Sequence, residues 1–457
     1  MRTTIWGVNA AAWAMTLGAA TALAQPDATK SGHSPNIHQL GHVSLGPFMT
    51  VGGISVEQEL SRPYVYVDRW REEVGFDVLD IHDPAAPKVI AKWRMEHPEL
   101  HKLSRGETGK YFKLHDRYYY IKAVEFEKGT LDADVGGMVF DVTNPAAPKE
   151  IGRIRSPDFQ DGWVNVDPYR YADGRMLAFA AVRNLPDGVA PHANIYDMDK
   201  YIAGGGGDGK QALIGTVPMP NAEAGTYRGY HDVHVEYDAS SGQDRFYGAG
   251  NGGFYIFNVS RPEAPVLITT IPEINTIPTV RAHTIVPTPD GRYVVTQMEV
   301  QFSPLMIFDL KPVFDKTVER VGIPVGVWAA DWHDLPHNHQ VRWPYVFDAA
   351  YEDGLQVIDI HDPTKPKTVG YAFTCQCQHM TGYMDEQHIH GPSVFSGAME
   401  LDVRNADGLI VLSDLNTGFW AFRMDGFTGY KEKPRSGPTT SRGRDRSVPQ
   451  TTLATGR

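Results

Sequence analysis

Three histidines open short apolar runs in the second half of the chain: His231 in HDVHV, His283 in HTIVP and His337 in HNHQV. Neutral imidazole is a ligand for zinc, copper or iron, so three such rings brought to one place would make a transition-metal site. Glu299, just past the run YVVTQM, is the carboxylate best placed to complete it. A metal held there could activate a small substrate or oxygen, as a Lewis acid or as a redox centre. The competing reading needs no metal: each ring could bond neighbouring backbone and knit strands together. His234 and His339 lie in the same runs. Strand alternation sets His339 on the face of His337 and His234 on the face opposite His231.

A second constellation is TCQCQHMTGYMDEQHIHGPS, residues 374–393. It holds Cys375, Cys377 and His379, then His388 and His390, a mixture of soft and borderline ligands suited to copper or zinc. A Cys375–Cys377 disulfide, strained across a single residue, and plain free thiols are the alternatives. His388 or His390 could equally add a ligand to the three-histidine set. Other motifs carry less. No Gly-x-Ser-x-Gly nucleophile elbow is present, and AGGGGDGK, residues 203–210, lacks the phosphate-loop spacing. Arg69, Arg71, Glu72 and Glu73 read as a solvated charge cluster, and His82 and His361 as turn residues on the outer side.

What must position these groups is a repeat. VGFDVLDIHDPAAPKVIAKW from Val74 returns as VGGMVFDVTNPAAPKEIGRI from Val135, GGFYIFNVSRPEAPVLITTI from Gly252 and DGLQVIDIHDPTKPKTVGYA from Asp353. Weaker copies are ANIYDMDKY at Ala193, PLMIFDLKP at Pro304 and TGFWAFRM at Thr417. Aligned on Asp80, Asp141, Asp197, Asn258, Asp309, Asp359 and Arg423, the copies are 50 to 64 residues apart. In the four clear copies glycine opens a turn, alternating apolar residues make a strand, and proline ends it because it has no N–H for a ladder. With a strand pair upstream, each unit holds about four strands, the content of a propeller blade. The sequence therefore predicts an all-β, seven-bladed β-propeller of four-stranded antiparallel blades. An open ring would leave sticky edges, so a strand at Gly41–Gly46 is expected to close it by joining the blade of Phe419–Met424. Equal registers converge at the central channel, where the counterparts of the three histidines in blades one to three read as Val56, Lys110 and Val166.

The phrase GLQVIDIHDPTKPKTVG, preceded by HNHQVRWPYVFDAAYED, resembles the LVIVD repeat of bacterial exported propellers. The resemblance runs from about Gly52 to Met424, good in blades one, two, four and six and approximate elsewhere. It implies the fold and fixes no single activity. More distantly, the blades resemble those of selenium-binding and methanethiol-oxidase propellers, whose metal sites do not transfer residue by residue.

Both ends read differently from the repeats. Arg2, the apolar stretch Ile5–Leu23 and the small residues Ala22 and Ala24 make residues 1–24 a secretory signal. Residues 25–37 follow as a flexible linker, 38–425 as the propeller and 426–457 as a basic disordered tail with an electrostatic attraction to anionic surfaces. A periplasmic or secreted protein without a transmembrane segment is expected. The net charge of −12 argues against a nucleic-acid partner. Two functions fit: a metal-dependent enzyme, an oxidoreductase acting on a small molecule, or a non-catalytic scaffold for a protein or cell-surface partner.

Overall fold

The computed structural model describes residues 32–430 except 48, 97–107, 126–135, 156–161, 172, 183–188, 221–228, 273–281, 333–334, 376–382, 385–388 and 391–394. The signal segment, most of the linker and all but the start of the basic tail thus lie outside the described residues. Seven four-stranded antiparallel sheets follow one another along the chain as the blades of a propeller. Their innermost strands are Val51–Val56, Gly109–Leu114, Asn165–Arg170, Tyr230–Asp238, Ala282–Pro287, Asn338–Arg342 and Ala398–Arg404. Each touches the innermost strand of the next blade, and the last touches the first, so the ring is continuous. No helix among the described residues is long and apolar enough to cross a membrane.

The repeated phrase is a turn recipe as much as a strand. Asp80 and Asp359, the last residues of third strands, each accept the backbone N–H two residues on, at 2.8 Å from His82 and His361. Asp141, Asn258 and Asp309 do the same. A second turn follows at Asp83, Asn144 and Asp362, whose side chains accept from Ala85, Ala146 and Thr364. These Asx turns satisfy backbone N–H groups on either side of a proline, which itself has no N–H to offer a ladder. His82 and His361 are exposed beside them, as expected of turn residues.

Outer strands lean on these turns. A β-carbon on Gly215 would stand 2.5 Å from the Pro262 carbonyl oxygen, and one on Gly326 would stand 2.0 Å from that of Pro363. Glycine is required because the neighbouring blade's proline turn, Arg261-Pro262 or Asp362-Pro363, occupies the space of a side chain. Apolar clusters fill the gaps between sheets; one joins Phe112 and Ile121 of the second blade to Val166 and Tyr196 of the third. The core is therefore shared out blade by blade.

The seventh sheet combines Ala398–Arg404, Leu409–Asp414 and Gly418–Met424 with an outermost strand from the other end, Ile37–Val43. Gly41 faces Ala421, His42 faces Trp420 and Val43 faces Phe419. The strand begins four residues ahead of the expected Gly41–Gly46, because Ile37 enters the apolar cluster between the last two blades. Contacts start earlier still: His33 bridges Ala372, inside the segment expected to be linker.

Candidate functional site

His231, His283 and His337 come together because they hold equivalent positions at the start of their blades' inner strands, the first two at the same break in the ladder. In blade four the pairing register slips between Tyr230 and Asp232, leaving His231 as the extra residue. In blade five it slips between Ala282 and Thr284, leaving His283. His337 directly precedes the inner strand of blade six. A bulge frees its extra residue from strict alternation and re-aims its side chain. The rings form a row, with centroids 4.3 Å apart for His231 and His283 and 4.5 Å for His283 and His337. All three are at most 5 % exposed.

Glu299, the residue after the strand Tyr293–Met298, reaches the row. One ligand atom from each of His231, His283 and Glu299 lies within 4.8 Å of the others. Its Oε2 is 3.5 Å from His283 Nε2, and its Oε1 is 3.7 Å from His337 Nε2. Tyr351, which the sequence reading passed over, donates its hydroxyl to Glu299 Oε1 at 2.6 Å and lies 4.8 Å from the His337 ring.

Hydrogen bonding fixes which nitrogen carries the proton in His283 and His337. His337 Nδ1 bonds the Met399 carbonyl, which can only accept, so Nδ1 is the donor. Thr284 Oγ1 lies 2.9 Å from His283 Nδ1, 2.9 Å from Asn338 Oδ1 and 3.3 Å from the His337 carbonyl. Asn338 donates its amide to Glu400, so Oδ1 is its acceptor end. The single Thr284 proton is directed at acceptors, and Thr284 accepts from His283 Nδ1. In their neutral form both rings turn a bare Nε2 toward Glu299. Lone pairs facing a carboxylate repel unless a cation, proton or metal, stands between them.

Below the histidines runs a ring of polar side chains at one register. Asn165 of blade three donates toward Thr108 and Asp232, Thr284 toward Asn338, and Asn338 toward Glu400. Lys110 reaches past blade one to within 3.6 Å of Glu400. These are the knitting contacts expected as the alternative to a metal, but residues next to the histidines make most of them. The sequence signal was present, unread, in the pairs His-Asp, His-Thr and His-Asn. It also corrects the register. Pairing with the second strands makes Val164, not Val166, the blade-three counterpart of the histidines, and Met399 the one in blade seven. Lys110 lies deeper, beyond Thr108.

His234, His339 and Cys375, the remaining candidates among the described residues, do not join the site. His234 is buried between Asp167, at 3.6 Å, and Glu236, at 3.3 Å. His339 faces the Val295 carbonyl at 3.2 Å. Cys375 is buried and disulfide-bonded, so its sulfur is no thiolate ligand. Cys377, His379 and His388 lie outside the described residues, as does the side chain of His390.

Residues 344–374 match the LVIVD repeat. That span covers the last three strands of blade six, where the repeated phrase is best spelled. No curated protein matches the chain. Among solved structures, the C-terminal WD40 domain of Sif2 is similar over 85 % of this chain and 99 % of its own, with 11 % identity and a TM-score of 0.50. Raptor from Chaetomium thermophilum is similar over 88 % of this chain and 30 % of its own, with 9 % identity and a TM-score of 0.54. At such identities the likeness concerns the fold alone: a seven-bladed propeller.

Next to the site, Asp348 is fully buried opposite His339, and burial pushes its carboxyl up to about 8, which the Gln297 amide only partly offsets. A folded-state pKa above the unfolded one means that the native protein binds this proton more tightly. Stability then falls as pH rises from about 4 to about 8 and levels off beyond. Asp348→Asn removes that dependence and is expected to stabilise the protein by up to ~4 kcal/mol at pH 7. Urea unfolding of both proteins at pH 5, 7 and 9 checks it; parallel pH profiles would show that Asp348 is not the group responsible.

Proposed function

We propose that this is an exported metalloprotein in which a transition-metal ion, bound at the channel mouth by His231, His283 and Glu299 with His337 beside them, activates a small substrate. Oxidoreductase chemistry is the reading favoured for it. The observation that carries it is the meeting of one ligand atom each from His231, His283 and Glu299 within 4.8 Å, with His283 Nε2 turned on Glu299 Oε2 at 3.5 Å while its Nδ1 is engaged behind. Metal-binding imidazoles are held in this way, with the far nitrogen donating to a fixed acceptor. Zinc, copper and iron all accept such donors. Export is supported by the leader-like residues 1–24 and by the disulfide at Cys375, which suits an oxidising compartment.

Elemental analysis of the protein purified without added metal is the direct test. About one equivalent of a first-row transition metal per chain is expected, or uptake of one on dialysis. A chain that neither carries nor takes up zinc, copper or iron would fit the scaffold reading instead.

A further inference from the structure

Building on the metal-site reading above, we propose that the ion is ferrous iron, held by His231, His283 and Glu299 as a two-histidine, one-carboxylate triad, with His337 left as a non-ligand. These three residues alone, among the described ones, bring one ligand atom each within 4.8 Å of one another. His337 is adjacent but differently occupied: its ring lies tilted beside that of His283, and its Nε2 is directed at Glu299 Oε1. That oxygen also receives the Tyr351 hydroxyl at 2.6 Å. Glu299 is left with Oε2, on the His283 side, as a monodentate ligand.

Tyr351 is built to impose this division. Its φ of +38° is a conformation that a bulky side chain rarely adopts. Two backbone hydrogen bonds exchanged with Ala398, at 3.0 and 2.8 Å, hold it there. Phe395, 5.7 Å away, packs on its ring. Tyr351 is thus a positioning residue that acts through Glu299.

The donor set points to the ion. A facial triad fills half of an octahedron and leaves neighbouring positions open, the arrangement of ferrous oxygen-activating centres. Catalytic zinc also uses two histidines and a carboxylate with one position open, and nitric oxide as a probe separates it from ferrous iron. Structural zinc prefers a closed tetrahedron, and electron-transfer copper adds a thiolate, which Cys375 in its disulfide does not supply. Glu299 is 21 % exposed while the three histidines are nearly closed to solvent, so a small ligand such as dioxygen would reach the ion from the Glu299 side.

The test loads the full-length protein with Fe(II) without oxygen and adds nitric oxide as the probe. One iron per chain is expected, with the S = 3/2 electron-paramagnetic signal of a ferrous nitrosyl. His283→Ala should abolish iron binding and signal. His337→Gln, which keeps a donor toward Met399, should retain both. Tyr351→Phe should weaken Fe(II) binding by about tenfold to a hundredfold while leaving urea stability of the metal-free protein unchanged. Loss of iron in His337→Gln equal to that in His283→Ala would overturn the triad by making His337 a ligand. Tight zinc or copper binding with no nitrosyl would overturn iron and leave the metal-site reading standing. No binding of any metal would remove both.

Discussion

Replacing His231, His283 and Glu299 together by Ala, Ala and Gln is expected to leave the propeller folded and to abolish its stabilisation by metal. A ligand that binds only the native state raises the unfolding free energy by about 2.7 kcal/mol at a hundredfold excess over Kd. The parent should show that gain and the triple variant none. The fold should survive because the apolar core is divided among the gaps between blades, such as that of Phe112 and Tyr196, and none of these three residues contributes to it. Protons compete with the metal for imidazole and carboxylate, so the parent's gain should shrink as the solution is acidified. Calorimetry with and without metal, for both proteins at two pH values, reads every arm. An equal metal-induced shift in the triple variant would mean that the ion binds elsewhere and the proposed site is wrong.

The propeller was legible in the sequence because its period is spelled out. Asp-Pro or Asn-Pro turns, glycine openings and apolar alternation recur around Asp80, Asp141 and Asp359, and each has a local cause that needs no knowledge of the rest of the chain. The three histidines were legible by the same alignment, since equal registers converge on the axis. Three things were not. The bulges that free His231 and His283 depend on a one-residue slip against the partner strand, which a single strand's spelling does not encode. Tyr351 is fixed from outside its own repeat, by Ala398 in the next blade. The start of the N-terminal strand is set by where Ile37 finds apolar partners, Phe347 and Leu401 among them, that lie at the far end of the sequence.

That strand carries the last prediction. Deleting residues 33–45 is expected to abolish cooperative unfolding, whereas deleting residues 431–457 should change stability little. Ile37–Val43 behaves as an outer strand in every respect. Its register slips once, between Gln39 and Gly41, as the outer strands of blades one, four and six slip once. A β-carbon on Gly41 would stand 2.3 Å from the Pro84 carbonyl oxygen, the packing of Gly215 on Pro262 and of Gly326 on Pro363. Ile37 is fully buried and Leu45 is 4 % exposed. Burial of two such side chains is worth roughly 3–6 kcal/mol, against about 5–15 kcal/mol for a whole domain. Further bonds would go with them, among them Ser34 N–H to Tyr371 O and Asn36 Nδ2 to Val369 O, both at 2.9 Å. The strand Gly418–Met424 would become a bare edge, open to pairing with other chains. Gly41→Ala is the milder probe: the Pro84 carbonyl is backbone, so the blades must part, at a cost of about 1–3 kcal/mol. Urea unfolding followed by tryptophan fluorescence, with light scattering for aggregation, reads both variants. If the shortened chain unfolds with the parent's midpoint and slope, the ring does not depend on its N-terminal strand.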